Sequence, residues 1–431
     1  MMSSNHKLSR PAQVLRGYWK QLPASWRRAV WKLVGPHWQL AYARRQLARP
    51  SITRSCLSDA PLVVAGLFST ANGIGEAARA TYRSLDAAGL SPIAVDLSQH
   101  LAPVDLDCPF PCQPMPPDET GTLILQLNGP ETMAALQHLG MRRGRNWYTI
   151  GYWAWELPTF PKNWHSAFRF LSEVWAISEY TAQALRTHNN APEIFAIPHA
   201  VAPPQHQNQG HNDRRWPDDH FVFLTMADGM SSFSRKNPFA AIRAFKEAFS
   251  DAQDRRLIVK TRNLDHKPEA RADLLAAIGD AENIEILDAS LSELDLWALL
   301  KSVDCFVSLH RSEGFGLVLA EAMALGKPVI STGWSGNMDF TNDEVAALVE
   351  YELVPCVDPY GIYADTASHW AEVDLDDAVM KMKKIVEDTG YRDQISSAAK
   401  QHIRVWASPE RVGAIMADRL SQTASSSAEH T

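Results

Sequence analysis

Short apolar segments alternate with helical segments along most of this chain, and that alternation allows few folds. A first series predicts strands at residues 61–67, 92–95, 122–127, 148–153, 174–178 and 194–198, with helices at 75–88, 130–138 and 180–188. A second series predicts strands at 221–226, 256–261, 283–287, 304–309, 328–332 and 346–350, with helices at 238–249, 270–278 and 292–301. Many of these strands are apolar throughout, which is typical of parallel strands covered by helices on both faces.

The two series are separated by a stretch rich in Pro, Gln, His, Asn and Gly, which predicts a linker at residues 202–219. We therefore expect an α/β protein with two Rossmann-like parallel-sheet domains, residues 59–201 and 220–405, that face each other across a cleft. A length of 431 residues is sufficient for two cores.

The end of the chain predicts one more helix. Ser408 is a good helix cap, and Pro409 suits the first turn. No strand follows this helix, so we expect residues 406–420 to cross back and pack on the first domain. The polar residues 421–431 are predicted to be a disordered tail.

The N-terminal extension, residues 1–58, is basic and rich in Trp. Its first 50 residues contain ten Lys/Arg and no Asp or Glu, although the whole chain has a net charge of −7. Trp interleaved with basic residues suits contact between residues 1–50 and an anionic membrane surface. The alternatives are a nucleic-acid arm, a mitochondrial-type presequence, or a basic helix that packs on the protein itself.

Bulk composition favours a soluble globular protein, with 45% apolar and 21% charged residues. No run of 18 apolar residues predicts a spanning helix, and the start of the chain lacks the features of a secretory signal. Five cysteines, an odd number, fit a reducing compartment. We expect a cytoplasmic protein, with peripheral contact at the inner face of the plasma membrane if the extension binds lipid.

Residues 304–332 are the most informative segment for function. An apolar strand leads into a Gly-rich loop that carries Glu313, a helix that carries Glu321 follows, and a strand begins after Pro328. Helix amides near Phe315 would face an anionic ligand, with the two carboxylates on either side. The competing interpretations are a loop Glu that caps the helix and an exposed helix Glu.

These residues resemble a known family. The segment EGFGLVLAEAMALGKPVI, residues 313–330, looks like the Glu-x7-Glu signature of retaining GT-B glycosyltransferases of the family 4 type. Further blocks resemble the same family, and in part a subgroup of bacterial surface-polysaccharide mannosyltransferases, at residues 68–80, 151–164, 173–185, 235–245, 333–340 and 370–378. The resemblance covers roughly residues 60–405, and it implies the GT-B fold.

The resemblance also implies roles in the second domain. Lys236 would contact the leaving diphosphate and Glu313 the donor sugar, and these two are the expected catalytic residues. Glu321 would accept the ribose hydroxyls. The remaining donor-site candidates are Arg235, Lys260, His310 and the backbone of Gly314, Phe315, Gly316 and Leu317. Asp228-Gly229 stands where many members of the family carry Gly-Gly-Arg, a departure that removes one expected cation.

Four candidates lie in the first domain. Gly73 and Gly75 follow the first predicted strand and would touch the diphosphate or the acceptor, unless they only form a tight turn. Asn128 and Glu156 follow two later strands and are candidate acceptor contacts.

We expect no metal and no cofactor. Asp-x-Asp occurs at residues 105–107 and 374–376, but neither follows a strand suited to hold a cation, and the second reads as a helix cap. The substrate would be a GDP- or UDP-linked sugar.

The sequence therefore predicts a hexosyltransferase (EC 2.4.1.-) that acts with retention of configuration in polysaccharide biosynthesis. Mannose from GDP-mannose is the leading donor, and a glycan or polyprenyl-linked glycan is the acceptor. The alternatives are another GT-B enzyme, such as a phosphorylase or an epimerase, and a non-catalytic scaffold that binds membrane or nucleic acid. We expect no nucleic-acid partner.

Overall fold

The structure is a computed structural model, and it describes residues 41, 43, 45–51, 60–204, 216–360, 363 and 367–425. Two six-stranded, fully parallel sheets and one two-stranded antiparallel sheet organise these residues. The prediction of two Rossmann-like α/β domains is confirmed.

The first domain is built on one six-stranded sheet of order β2-β1-β3-β4-β5-β6. Its strands are β1 (Leu62–Gly66), β2 (Ile93–Asp96), β3 (Thr120–Gln126), β4 (Asn146–Trp153), β5 (Glu173–Ala176) and β6 (Glu193–Ala196). Its helices are α1 (Gly73–Ala87), α2 (Ser98–Leu101), α3 (Gly129–His138) and α4 (Glu179–Arg186), with a 3₁₀ helix at Lys162–Phe170.

The second domain repeats this plan with strand order β12-β11-β10-β7-β8-β9. Its strands are β7 (Phe221–Met226), β8 (Arg255–Thr261), β9 (Ile284–Asp288), β10 (Cys305–Ser308), β11 (Val329–Thr332) and β12 (Ala347–Val349). Its helices are α5 (Phe233–Lys236), α6 (Pro238–Phe249), α7 (Pro268–Ile278), α8 (Glu293–Ser302), α9 (Leu317–Ala324), α10 (Leu375–Glu387) and α11 (Thr389–Trp406), with 3₁₀ turns at Leu264–His266 and Gly336–Asp339.

Both sheets bury side chains on both faces. In β1, Val64 belongs to one hydrophobic cluster while Val63 and Ala65 belong to another, and β7 divides in the same way between Val222 and Phe223. The cluster that holds Val64 and Val222 runs from one sheet to the other. Each apolar strand therefore supplies two layers of core, and one layer is shared by the two domains.

Two features of the fold were not predicted. Strands β13 (Tyr351–Pro355) and β14 (His369–Val373) form an antiparallel pair. The sequence does not indicate this pair, because β13 is partly exposed and lacks an apolar run. In the Pro-rich loop of the first domain, the sulfur atoms of Cys108 and Cys112 lie next to each other, a proximity that the sequence did not predict.

The last helix, α12 (Pro409–Ser425), crosses back to the first domain. Val412, Met416 and Leu420 join the hydrophobic cluster that includes Leu85 of α1. The helix ends five residues beyond the predicted end at residue 420, so part of the expected tail is helical. Residues 426–431 of that tail lie outside the described residues.

Most of the N-terminal extension, residues 1–40, also lies outside the described residues, as do residues 205–215 of the predicted linker. The end of the extension packs on the first domain, where Ala43 and Leu47 are buried and Leu47 pairs with Arg142. Within the described part of the chain, no helix is long and apolar enough to cross a bilayer.

The contact between α12 and α1 makes a prediction in which two effects compete. Replacing a helical Gly by Ala should stabilise the helix by about 1 kcal/mol, but a Cβ at Gly413 would lie 1.9 Å from the carbonyl oxygen of Ser84. Because this neighbour is backbone, we expect the clash to prevail and Gly413→Ala to lower the free energy of unfolding by about 1–3 kcal/mol. Urea denaturation measures this, with Ala414→Ser on the exposed face of α12 as the control; a Gly413→Ala protein as stable as wild type would contradict the prediction.

Candidate active site

The carboxyl edges of the two sheets face each other across a cavity of about 490 Å³. In each domain, the loops that line this cavity include those at the point where the strand order of the sheet reverses. This point lies between β1 and β3 in the first domain and between β7 and β10 in the second. Open parallel sheets bind ligands at such switch points, because the loops diverge there and leave a crevice.

A buried ion-pair cluster occupies the switch point of the second domain. Glu313, which follows β10, has Oε1 2.5 Å from Lys236 Nζ and Oε2 3.1 Å from an Arg235 guanidinium nitrogen. Burial alone would raise the pKa of Glu313, but Lys236 and Arg235 outweigh it and lower the pKa to about 2. The carboxylate is therefore ionised at any physiological pH.

The side chains of Arg235 and Lys236 differ in burial and in how firmly they are held. Arg235 is buried and donates to the main-chain oxygen of Ser312 at 2.8 Å and to Ser231 Oγ at 3.2 Å. Although burial opposes its charge, Glu313 raises the pKa of Arg235 further above its usual value. The Lys236 side chain is 27% exposed. Arg235 is thus fixed beside Glu313, whereas Lys236 can reach a ligand.

Glu321 is a buried carboxylate on α9 that faces the cavity. Its side chain is 4% exposed, and Oε2 has no hydrogen-bond partner among the described residues. Burial, with the nearby charges of Glu76 and Glu293, raises the pKa of Glu321 well above its usual value, while Arg79 opposes the shift. An unsatisfied buried acceptor costs free energy, so this oxygen is suited to a donor group on a ligand.

The N-terminus of α9 also forms part of the cavity wall. Gly314, Phe315, Gly316, Leu317 and Val318 all line it, and the first amides of a helix lack partners within the helix. Gly316 caps the helix with φ +97°, a conformation that favours glycine. This end of α9 can bind an anionic group.

Three predicted residues do not have the surroundings that we expected. His310 lies outside the cavity lining, is fully buried, and bonds Ser308 Oγ at 3.0 Å, the Trp334 carbonyl at 3.2 Å and Asn337 Oδ1 at 3.0 Å. Gly75 lies in the first turn of α1, where its amide donates to Asn72 Oδ1 at 2.8 Å, and only Gly73 of that pair lines the cavity.

Lys260 lines the cavity, but its ammonium donates to the carbonyl oxygens of Thr261 and Ala289. Burial and the charge of Arg262 lower the pKa of Lys260 to about 8. Only one of its three N–H groups remains for a ligand.

The first-domain candidates occupy the opposite wall. Asn128 and Glu156 both line the cavity. Asn128 Oδ1 accepts from the Ala154 amide at 2.9 Å, which fixes the side-chain amide so that its NH₂ group is left for a ligand. Glu156 Oε2 accepts from the Tyr363 hydroxyl at 3.0 Å.

Several cavity residues were not among the main sequence candidates. Arg262, two positions after Lys260 at the carboxyl end of β8, pairs with Asp228 at 2.6 Å and also donates to the Ala71 carbonyl of the first domain. The position of a charged residue at the end of a strand could have identified Arg262 as a cavity residue. Arg262 supplies a cation beside Asp228. His199, which the sequence offers as a weaker candidate just before the linker, is buried against Phe315, and its Nδ1 has no hydrogen-bond partner in the described part of the chain. Burial lowers the pKa of His199 to about 4.

Charged residues of both domains meet at one end of the cavity. Arg83 binds Glu293 at 3.0 Å across the domain boundary and also pairs with Glu76 at 3.0 Å. Arg79 donates to Glu76 at 2.9 Å and to the carbonyls of Phe68 and Thr70. Across the described ranges, no group of three or more His, Cys, Asp or Glu is arranged to hold a metal ion.

Comparison with known proteins agrees with this architecture. Residues 211–402 match the family model described as Glycosyl transferases group 1. The D-inositol 3-phosphate glycosyltransferase of Salinispora arenicola is 27% identical over 136 residues, 32% of this chain and 26% of the relative, and that of Salinispora tropica is 28% identical over 138 residues, 32% of this chain and 24% of the relative. The chain thus spans about a quarter of the length of these curated relatives.

Solved structures share the fold. Anabaena HepE in complex with UDP and glucose superimposes with a TM-score of 0.60 at 15% identity, covering 84% of this chain and 100% of that chain. Sucrose-phosphate synthase from Thermosynechococcus elongatus gives a TM-score of 0.60 at 14% identity over 84% and 98% of the two chains. The two-domain GT-B architecture is confirmed.

The raised pKa of Glu321 predicts how stability depends on pH. An unfolded Glu loses its proton near pH 4.5, whereas folded Glu321 keeps its proton to higher pH, so the free energy of unfolding falls as pH rises above that point. Glu321→Gln removes this loss. We expect the variant to be more stable than wild type in the absence of ligand, by a margin that grows by about 1 kcal/mol or more between about pH 5 and pH 8.

Urea unfolding at the two pH values tests this. Glu387→Gln on the exposed surface of α10 is the matched control, for which we expect no such growth. A Glu321→Gln protein that is less stable than wild type at both pH values would show that the ionised carboxylate is compensated in the folded state.

Proposed function

We propose that this protein is a retaining glycosyltransferase that moves a hexose from a nucleotide diphosphate sugar to a hydroxyl group of a glycan or lipid-linked glycan. The observation that carries the proposal is that one interdomain cavity is lined both by the ion-paired Glu313 and by Glu321, whose Oε2 has no hydrogen-bond partner among the described residues. The match of the second domain to group 1 glycosyltransferases supports it.

The donor would lie along the wall formed by the second domain. Its diphosphate would face the N-terminus of α9 and Lys236, and its ribose diol would donate to Glu321, which has an unsatisfied acceptor. Its sugar would lie beside Glu313. Arg235 keeps Glu313 ionised when Lys236 turns to the phosphate, because the guanidinium stays bonded to the same carboxylate.

Transfer breaks the bond between the sugar's anomeric carbon and the β-phosphate oxygen and forms a bond to the acceptor oxygen on the same face. Lys236 and the α9 amides would stabilise the negative charge that develops on the leaving diphosphate. The proton of the acceptor hydroxyl would pass to the diphosphate, so no protein nucleophile is required. Asn128 and Glu156, on the first-domain wall, would orient the acceptor.

Donor identity is the finer part of the proposal. GDP-mannose is the leading donor because of the sequence resemblance, whereas the similar HepE structure contains UDP. We propose action in the cytoplasm in polysaccharide biosynthesis, with a polyprenyl-linked acceptor and contact between residues 1–50 and the membrane, and without a metal.

A panel of nucleotide sugars tests the donor directly. A ligand present at 100 times its Kd adds about 2.7 kcal/mol to the free energy of unfolding. We expect GDP-mannose to give the largest rise in Tm. A larger rise with UDP-glucose would show that the proposed donor is wrong and leave the proposed transfer reaction standing. No rise with any nucleotide sugar would contradict the proposed function.

Substitutions separate binding from turnover. We expect Glu321→Ala to weaken donor binding by about tenfold or more, because it removes the acceptor for the ribose hydroxyls. Lys236→Ala should lower kcat by about 10²–10³ with a smaller effect on Kd, because the charge that it stabilises develops in the transition state.

Calorimetry gives Kd, and a radiolabel transfer assay gives kcat. Lys383→Ala, on the exposed surface of α10, is the control and should match wild type in both. Wild-type Kd and kcat in either site variant would show that the substituted residue does not have its proposed role.

A further inference from the structure

The loop of residues 312–316, which we call the Glu313 loop, is held from its own domain at three points. The Glu313 amide donates to Ser335 Oγ at 2.8 Å, and the Gly336 amide donates to the Glu313 carbonyl at 2.9 Å. Arg235 donates to the Ser312 carbonyl at 2.8 Å. These bonds fix one side of the loop.

The first domain holds the other side of the Glu313 loop. Ser178 Oγ donates to the Gly314 carbonyl at 2.5 Å. Tyr180 OH lies 2.9 Å from Ser312 Oγ, and Ser312 Oγ donates to the Glu156 carbonyl. Because the single hydroxyl proton of Ser312 is used there, the Ser312 oxygen can accept from Tyr180, whose hydroxyl also lies 3.4 Å from the Glu156 carbonyl.

The fit at Gly314 leaves no gap between the domains. A Cβ at this position would lie 2.9 Å from both Ile177 Cδ1 and the Trp155 carbonyl oxygen, and only glycine permits such an approach. In this structure the Glu313 loop is therefore packed directly against the first domain at Gly314.

The start of α4 is built to make these bonds. Ser178 caps the helix by accepting from the Thr181 amide at 3.1 Å while it donates to Gly314. Thr181 Oγ1 donates to the Trp155 carbonyl at 2.8 Å, and the Glu179 amide donates to Asp339 Oδ2 at 2.7 Å. The helix end thus contacts both the first-domain wall and the second domain.

We propose that Ser178 and Tyr180 are positioning residues of the first domain that bond the Glu313 loop across the cleft and so make the catalytic pose of Glu313 depend on domain closure. This proposal deepens the proposed function and rests on it for the role of Glu313. In the proposed reaction, neither residue touches the substrate. Both act through the loop.

The proposal predicts an effect on turnover rather than on nucleotide affinity. Glu321 and the α9 amides belong to the second domain and would bind the nucleotide in either state of the cleft. Glu313 would be correctly placed beside the sugar only in the closed state, when Ser178 and Tyr180 hold its loop. Loss of either bond should therefore lower kcat and leave the Kd for the free nucleotide nearly unchanged.

Three variants of the full chain separate positioning from helix capping. Ser178→Asp keeps a good cap, but its ionised carboxylate cannot donate to Gly314. Tyr180→Phe removes one hydroxyl and leaves the cap untouched, so it remains informative if the buried Asp prevents folding. Ser178→Thr keeps both the cap and the donor, and serves as the matched control.

The first measurement is hydrogen–deuterium exchange of the Glu313 loop, which does not require activity. In Ser178→Asp and Tyr180→Phe we expect exchange at residues 312–316 to rise about tenfold, with residues 179–186 of α4 unchanged and Ser178→Thr like wild type. Wild-type exchange in the loop of both variants would overturn the proposal. An equal rise in α4 would also overturn it, because it would show that the residues only stabilise the helix.

The second measurement compares kcat with the Kd for GDP, or for UDP if that nucleotide is the one that stabilises the protein. We expect kcat to fall about tenfold in both variants and Kd to change less than about twofold. Unchanged kcat would overturn the positioning role. If wild type transfers no sugar, the proposed function fails, and the exchange data still decide whether the first domain holds the loop.

Discussion

Burial of the Glu313 carboxylate between two domains is the constraint on which the rest of the site depends. A charge so placed is strongly unfavourable unless cations and hydrogen-bond donors surround it. Its two cations come from α5, the short helix that follows β7, and Glu313 itself follows β10, which lies beside β7 in the sheet. The ion pair thus needs the strand order that brings these two loops together, and that same order opens the crevice that a ligand would occupy.

The two acidic residues of the cavity show opposite solutions to one electrostatic problem. Glu313 is compensated within the protein, and its pKa is low. Glu321 lies near Glu76 and Glu293, and its pKa is high. Sites commonly keep such uncompensated groups where a ligand will supply the missing partner. The cavity wall therefore carries two chemically different carboxyl groups, one with an unsatisfied acceptor and one in a fixed ion pair.

Much of the fold could be read from the sequence, because parallel strands buried on both faces leave continuous apolar runs. Strand β7 matches its predicted bounds, and helix α6 does as well. The β13–β14 pair could not be read in this way, because β13 has no buried residue and carries the exposed Glu352. Position in a parallel sheet also predicted that Asn128 and Glu156 would reach the cavity, since the carboxyl ends of such strands share one edge.

Contacts that depend on how the domains meet were beyond the sequence. His310 adjoins the Glu313 loop in sequence, yet its ring turns inward and bonds Asn337, so proximity along the chain was misleading. Arg262 and Tyr180 reach across the cleft, and no local pattern encodes the partner that each one meets there. The family resemblance supplied roles for Glu313, Glu321 and Lys236, and these roles remain predictions that the geometry supports.

The returning helix α12 has a mechanical consequence. The main chain passes between the domains twice, once after Val201 and once before Pro409, and the Val201 amide bonds the Ala407 carbonyl at 2.8 Å. The two crossings lie side by side and are hydrogen-bonded to each other, so they define a hinge axis between the domains rather than a flexible linker. Among the described residues, hydrogen bonds from Thr159 to the Ala367 carbonyl and from Tyr363 to Glu156 also join the two domains. Rotation of the domains about the contact between Val201 and Ala407 would therefore break these bonds while that contact remains.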